Sequence, residues 1–199
     1  AIGVYGLQKT LADGLPEALN EDTQIDFNAY PDFLAEVGRQ WETATQPAIE
    51  KGVRVVCMRF GVVLGKNGGV LPHLALPIKF YLGGKIGNGL QPFTWIALCD
   101  LIRAIDFLLY LPEFSGPINL VAPQCVTQQE FVRTLAEILH RPAKITTPAF
   151  ILKLALGQMA KELLLNGQNV YPKKLLELDF KFTYPTLNSA LEKIFKVSS

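Results

Sequence analysis

Cysteine, histidine and long apolar runs are all scarce in this 199-residue chain, and each scarcity removes a class of function. The three cysteines, Cys57, Cys99 and Cys125, are far apart and odd in number, and only His73 and His140 carry imidazole. With no Cys-x-x-Cys and no Cys/His cluster, the sequence offers no metal site. Reduced, buried thiols in a cytosol-like compartment account for the cysteines, and the expected location is cytoplasmic, or a plastid or mitochondrial matrix in a eukaryote. Serine is scarce, no Gly-x-Ser-x-Gly elbow occurs, and His73 has no fixed carboxylate or serine partner, so a triad has no support. Lys and Arg total 19 against 18 Asp and Glu, a net charge of +1 with no basic stripe, which gives no reason to expect nucleic acid. No apolar run reaches the roughly 18 residues that a membrane helix needs. The longest candidates, residues 98–111 and 150–156, are interrupted by charge or too short.

What is abundant is apolar surface. Hydrophobic residues make up 49% of the chain and charged residues 19%. The mean hydropathy of +0.23 points to strands buried on both faces. The length suits one core, or one domain plus a small lobe. Ala1-Ile2-Gly3-Val4-Tyr5-Gly6 has neither the basic start nor the apolar centre of a signal peptide. It reads as the last residues of a buried strand, and so as a chain that continues upstream.

Residues 7–28 are acidic and turn-rich, a surface loop. Asp32 is placed to cap a helix whose apolar face would comprise Phe33, Val37, Trp41, Ala44 and Ala48. Gly52 ends it, and residues 53–58 are β-branched enough for a central strand. A strand, a crossover helix and a strand in that order make half of a parallel βαβ sheet, flanked by strands ending near Val4 and containing residues 118–121. Further on come a helix within 70–82, a short strand at 94–96, a helix over 99–111 and a buried strand at 116–121. Thr127 and Glu130 form a capping box that opens a helix running to His140, where Pro142 blocks continuation. Beyond about residue 143 the pattern changes to short helices, with Pro148 and Pro172 at their starts and a last helix after Thr186. The expected organisation is therefore an α/β domain over 1–142, built on part of a parallel sheet, and a small mainly helical lobe over 143–199; the resemblance described below implies that this sheet is the second half of a Rossmann-type one.

The glycine-rich stretches 65–69 and 83–89 do not have phosphate-loop spacing, and turns with positive φ explain both. Arg59 ends an apolar strand, where the carboxyl edge of a doubly wound sheet lines a ligand crevice. A cofactor neighbour and a structural ion pair are both open readings of it. Gly61-Val62-Val63 supplies accessible backbone and two small apolar walls, which suits a flat ring. Tyr5 lies at the same edge, either as a proton donor or as a wall of the pocket. Trp41 and Trp95 read as packing residues.

Several segments, in order, resemble one family: Ala1–Gly6, then Phe33-Leu34-Ala35-Glu36-Val37 with Trp41-Glu42, and Arg59-x-Gly61-Val62-Val63-Leu64-Gly65. Leu82-Gly83-Gly84, Trp95-Ile96 with Asp100-Leu101, and Asn119-Leu120-Val121-Ala122-Pro123 continue the match. The chain resembles the atypical short-chain dehydrogenase/reductases called epimerase-family or nucleoside-diphosphate-sugar-epimerase-like proteins, with their C-terminal domain of unknown function. That resemblance implies a Rossmann-type domain binding NADP or NAD and an oxidoreductase or epimerase activity on an unidentified small molecule. It also makes this chain the C-terminal two-thirds of such a protein, so that dinucleotide binding by this piece alone is weak or absent. Val63 is the implied cofactor contact, with Arg59, Gly61 and Val62 as neighbours and Tyr5 as the candidate catalytic residue. If Glu42 matches the acidic residue that follows the Tyr-x-x-x-Lys pair of the wider superfamily, Leu34 and Gly38 occupy the Tyr and Lys positions. A non-catalytic dinucleotide-binding regulator or scaffold is the other reading.

Overall fold

The computed structural model describes residues 2–5, 17–25, 33–143 and 167–196. In chain order these form a 3-10 turn η1 (Ile2–Tyr5), helices α1 (Phe33–Thr43) and α2 (Gln46–Glu50), and strands β1 (Val56–Phe60) and β2 (Val62–Leu64). Helix α3 (Leu71–Lys79), strands β3 (Pro92–Phe93) and β4 (Trp95–Ala97), and helix α4 (Leu98–Leu109) follow. Strands β5 (Gly116–Leu120) and β6 (Val126–Thr127) then lead to helices α5 (Gln128–Ile138), α6 (Lys173–Glu177) and α7 (Leu187–Lys196).

Strand β1 runs parallel to β5, with Val56 opposite Gly116 and Arg59 opposite Asn119. After Gly61 the chain changes partner, and β2 runs parallel to β4 with Val62 opposite Trp95. The handover is visible in two hydrogen bonds: Gly61 N still donates to Leu120 O, whereas Val62 N donates to Thr94 O at 2.9 Å. A Cβ on residue 61 would lie 2.9 Å from Thr94 O and 3.1 Å from Val121 Cγ1, so only glycine fits the crossing. Val62–Leu64 is thus a short strand of its own.

The first core lies between β1, β5, α4 and α6, where Leu101, Leu108, Ile118, Leu120 and Leu175 meet. The second joins β2 and β4 to α3, α5 and α7 through Leu64, Leu71, Trp95, Phe131 and Leu191. Residues beyond 143 contribute to both. The capping box at Thr127 forms as the sequence predicts, with Glu130 N donating to Thr127 Oγ1 at 3.2 Å and Thr127 N to Glu130 Oε2 at 2.7 Å.

Four expectations need correction. Ile2–Tyr5 is a 3-10 turn, not a strand end. Its β-prone residues yield to tertiary packing, because Val4 fills the space left by Gly38 of α1. The helix expected between Asp32 and Gly52 breaks at Ala44–Thr45 and restarts as α2, since Pro47 lacks the N–H that a continuous helix requires. Trp41 is 65% exposed; Ala35 and Gly38 are the buried positions of α1. Cys99 is exposed rather than buried. The expected helix start at Asp32 and the region around Pro148 lie outside the described residues.

Asp100, wholly buried in the first turn of α4, ties the C-terminal segment to this frame. Its Oδ1 accepts from Thr183 N at 2.9 Å and Arg103 Nη1 at 3.0 Å, and its Oδ2 accepts from Tyr184 N at 2.8 Å. Arg103 also donates to Lys181 O at 2.9 Å. Truncating a buried, charge-paired carboxylate strands these donors and costs about 3 kcal/mol. In thermal melts followed by circular dichroism, Asp100→Ala should therefore lower Tm by about 6–12 °C, whereas the cap variant Thr127→Ala should lower it by about 2–4 °C. Equal shifts would show that Asp100 is not the anchor.

Candidate functional site

The carboxyl ends of β1 and β5 carry a cluster of buried polar groups. Arg59 points from β1 to one side of the strand, only 4% exposed, so its charge must be met inside the protein. Glu42, on the last turn of α1, meets it in a two-pronged pair: Nε donates to Oε1 at 2.7 Å and Nη2 to Oε2 at 2.8 Å. The third edge of the guanidinium, Nη1, donates to the Tyr5 hydroxyl at 2.8 Å, with Cζ 4.9 Å from the centre of the Tyr5 ring. Burial disfavours the charge on Arg59. The hydrogen bonds that it donates to Glu42, the proximity of Tyr5 and Glu42, and the bond to the phenol outweigh that effect and hold its pKa above the ordinary arginine value.

Tyr5 passes the contact on. Its hydroxyl lies 2.9 Å from Asn119 Oδ1 and 3.0 Å from Asn20 O, and donates toward these acceptors. Asn119 Nδ2 donates to Tyr171 O at 3.2 Å, and Asn119 N donates to Glu21 Oε1 at 2.9 Å. Burial pushes the Tyr5 phenol above its usual range, and the nearby Arg59 charge and hydrogen bonds with Asn119 and Arg59 only partly offset it. Lys174 N also donates to Glu21 Oε1, at 3.4 Å, so strand, loop and C-terminal segment converge here.

The sequence places Tyr5, Arg59, Gly61, Val62 and Val63 at one edge, and the structure brings them together there. It does not present them alike. Arg59 and Tyr5 are buried with their polar atoms engaged, which realises the ion-pair reading of Arg59. Gly61, Val62 and Val63 remain half-exposed. The expected lysine position, Gly38, has no room for a side chain, because a Cβ there would stand 2.9 Å from Val4 Cβ. Leu34 belongs to α1, but its side chain is outside the described residues.

Asn119 and Glu21 escape sequence reasoning. Asn119 leaves one trace, a polar residue inside an apolar strand; Glu21 leaves none. The Gly83–Gly89 loop behaves as the turn reading holds: Gly87 and Gly89 have positive φ. Ile86 N donates to Gln128 Oε1 at 3.0 Å, and Gln129 N donates to Gly89 O, so the loop itself covers the start of α5. His73 is exposed on α3 and Trp95 is wholly buried.

A domain of unknown function, DUF1731, matches residues 147–194. An epimerase family protein of Staphylococcus aureus is 43% identical over 165 residues, 83% of this chain and 55% of its own length. The crystal structure of human epimerase family protein SDR39U1 (isoform 2) with NADPH superposes with a TM-score of 0.85 at 34% identity, over 96% of this chain and 62% of that one. A nucleoside-diphosphate sugar epimerase from Corynebacterium glutamicum gives a TM-score of 0.75 at 34% identity, over 98% of this chain and 36% of that one. This chain thus spans little more than half the length of the curated relative. Its parallel α/β arrangement is that of the Rossmann-like epimerases. The chain belongs to the epimerase family, atypical short-chain dehydrogenase/reductase-like proteins with this C-terminal domain of unknown function.

Proposed function

We propose that the protein binds a nicotinamide dinucleotide with its ring end against Gly61, Val62 and Val63, and acts on a small molecule as an oxidoreductase or epimerase. The observation that carries this reading is the handover at Gly61, which leaves half-exposed backbone and two small apolar side chains at the carboxyl edge of parallel strands. That surface fits a flat ring. NADPH is favoured over NADH, because SDR39U1 was solved with NADPH. The bound group would supply hydride chemistry, and the chain's part is to hold and orient it. Val62 and Val63 would wall the ring, while the Arg59–Glu42 pair fixes the strand beneath them.

Tyr5 suits the work of a positioning residue better than that of an acid. Its hydroxyl is committed to Arg59, Asn119 and Asn20, and burial keeps its proton on. A general acid contributes about 10²–10⁴-fold. Tyr5→Phe should cost less than about threefold in kcat in the protein of full family length; a loss of about 100-fold or more would restore Tyr5 as the proton donor. The phenol's raised pKa has a second consequence. Its contribution to stability is fully present below about pH 10, the unfolded value, and is lost as pH rises through the higher folded value. Melting curves should show the native protein losing stability above about pH 10 more steeply than Tyr5→Phe; parallel curves would contradict the buried-phenol reading.

The phosphate-binding glycines that a dinucleotide requires have no counterpart in this sequence, so the 199-residue chain should bind NADPH at least about 100-fold more weakly than a protein of the relatives' full length. Calorimetric titration of both checks this; equal affinities would mean that the site lies elsewhere. Oxidation of NADPH with carbonyl or nucleotide-sugar substrates, followed by absorbance, then separates an enzyme from a non-catalytic regulator. The compartment we propose is cytoplasmic or organellar matrix. It is supported by three free cysteines and by the lack, among the described residues, of a helix long and apolar enough to cross a membrane.

A further inference from the structure

Helix α3 is apolar on both sides. Leu71, Ala75 and Ile78 face the core, while Leu76 and Phe80 lie on the outer side and are 52% and 67% exposed. Of its nine residues only His73 and Lys79 are polar. A helix that is hydrophobic all round is ordinarily covered on every side. The turn after it extends the exposed face with Tyr81 and Leu82, also more than half exposed. That turn is closed by two hydrogen bonds: Tyr81 N donates to Ile78 O at 3.0 Å and Leu82 N to Pro77 O at 2.8 Å. Glycine is the ordinary residue at the left-handed position of such a helix end, yet Tyr81 occupies it with φ +63°. Hydration and backbone conformation both oppose this placement of an aromatic residue, and strained residues of this kind gather at functional surfaces.

The charge around this face has one sign. No Asp or Glu occurs from Lys51 to Cys99, a stretch that includes α3 and its turn. Lys79 flanks the outer face of α3, Lys85 follows the turn, and Arg141 stands over the Tyr81 ring with Cζ 5.0 Å from its centre. The Lys79 ammonium has an aromatic neighbour, the Phe195 ring at 5.9 Å. Among the described residues none of these three cations forms an ion pair, and Glu137, on the last turn of α5, lies 3.9 Å from Arg133. We propose that this face docks the protein on an anionic lipid bilayer, with Phe80, Tyr81 and Leu82 at the boundary of headgroups and acyl chains and the three cations against the negative headgroups. A second copy of the same face would bring cations onto cations, and an uncharged apolar partner would leave them unmatched. An anionic bilayer offers an apolar layer beneath a negative surface, so it meets both features together. The ring and hydroxyl of Tyr81 suit the headgroup level. A helix of nine residues is too short to span, so the contact is peripheral. The proposal does not rest on the dinucleotide reading.

Co-sedimentation of the 199-residue chain with vesicles tests the proposal. Phosphatidylcholine vesicles containing about 30% phosphatidylserine should bind it at least about tenfold more tightly than phosphatidylcholine alone, and about 0.5 M salt should weaken that binding. Phe80→Ser, and separately the double variant Lys79→Gln with Arg141→Gln, should each weaken binding to the anionic vesicles by about tenfold or more. All three side chains are exposed, so Tm should stay close to the native value, which keeps loss of binding distinct from loss of fold. Tyr81→Gly relieves the left-handed strain, so it should weaken binding while leaving Tm unchanged or higher. A tyrosine kept only for the fold would give the opposite pair of results. No binding to anionic vesicles, equal binding to both kinds of vesicle, or native-like binding by Phe80→Ser would overturn the proposal. Self-association without lipid that Phe80→Ser abolishes would assign the face to a second copy and refute the lipid reading.

Discussion

The buried Arg59 guanidinium and its pairing with Glu42 are the constraint around which this chain is arranged. A guanidinium placed inside a strand must be met on every edge, because an unpaired charge away from water costs more than the fold can spare. Glu42 takes two of its edges and Tyr5 the third, and these two residues belong to α1 and η1. One charge on β1 therefore fixes the position of two other elements. Asn119, directly opposite Arg59 in register, extends the fixation to β5, and Glu21 extends it to the loop and to Lys174. Such pairs add little net stability over an apolar core, but removing one partner costs about 3–5 kcal/mol. Their value is in allowing one arrangement only.

Directly after that pair the strand changes neighbours. Gly61 permits the exchange because Thr94 O and Val121 occupy the space of a side chain. The chain then runs along β4, whose following helix, α4, holds the C-terminal segment through Asp100. The carboxyl edges of two strand pairs are thereby set next to each other on a rigid base. Half-exposed Gly61, Val62 and Val63 sit at that edge.

The close contact between α1 and η1 also leaves no room for a side chain at position 38. A lysine at position 38 would displace Val4, so the tight packing of this turn and a Tyr-x-x-x-Lys pair in this register exclude each other. In its place, Arg59 ties α1 and η1 to the sheet through Glu42 and Tyr5.

The sequence by itself determined the parallel α/β class, the pairing of the strand near residue 56 with that near residue 118, the α5 capping box and the gathering of Tyr5 with Arg59–Val63 at one sheet edge. These are local or periodic signals: β-branched runs, cap residues and the right-handed crossover that a helix between strands requires. Tertiary structure alone decided what that edge does. Whether Arg59 faces a ligand or an ion pair depends on where α1 brings Glu42, 17 residues earlier in the chain. Whether the Tyr5 hydroxyl is free or engaged depends on Asn119, 114 residues away. Val4 and Gly38 turned a strand-like hexapeptide into a 3-10 turn, and a helical stripe that included Trp41 was rotated to the surface. Each outcome turns on a contact between distant residues, and propensity and periodicity carry no term for such contacts.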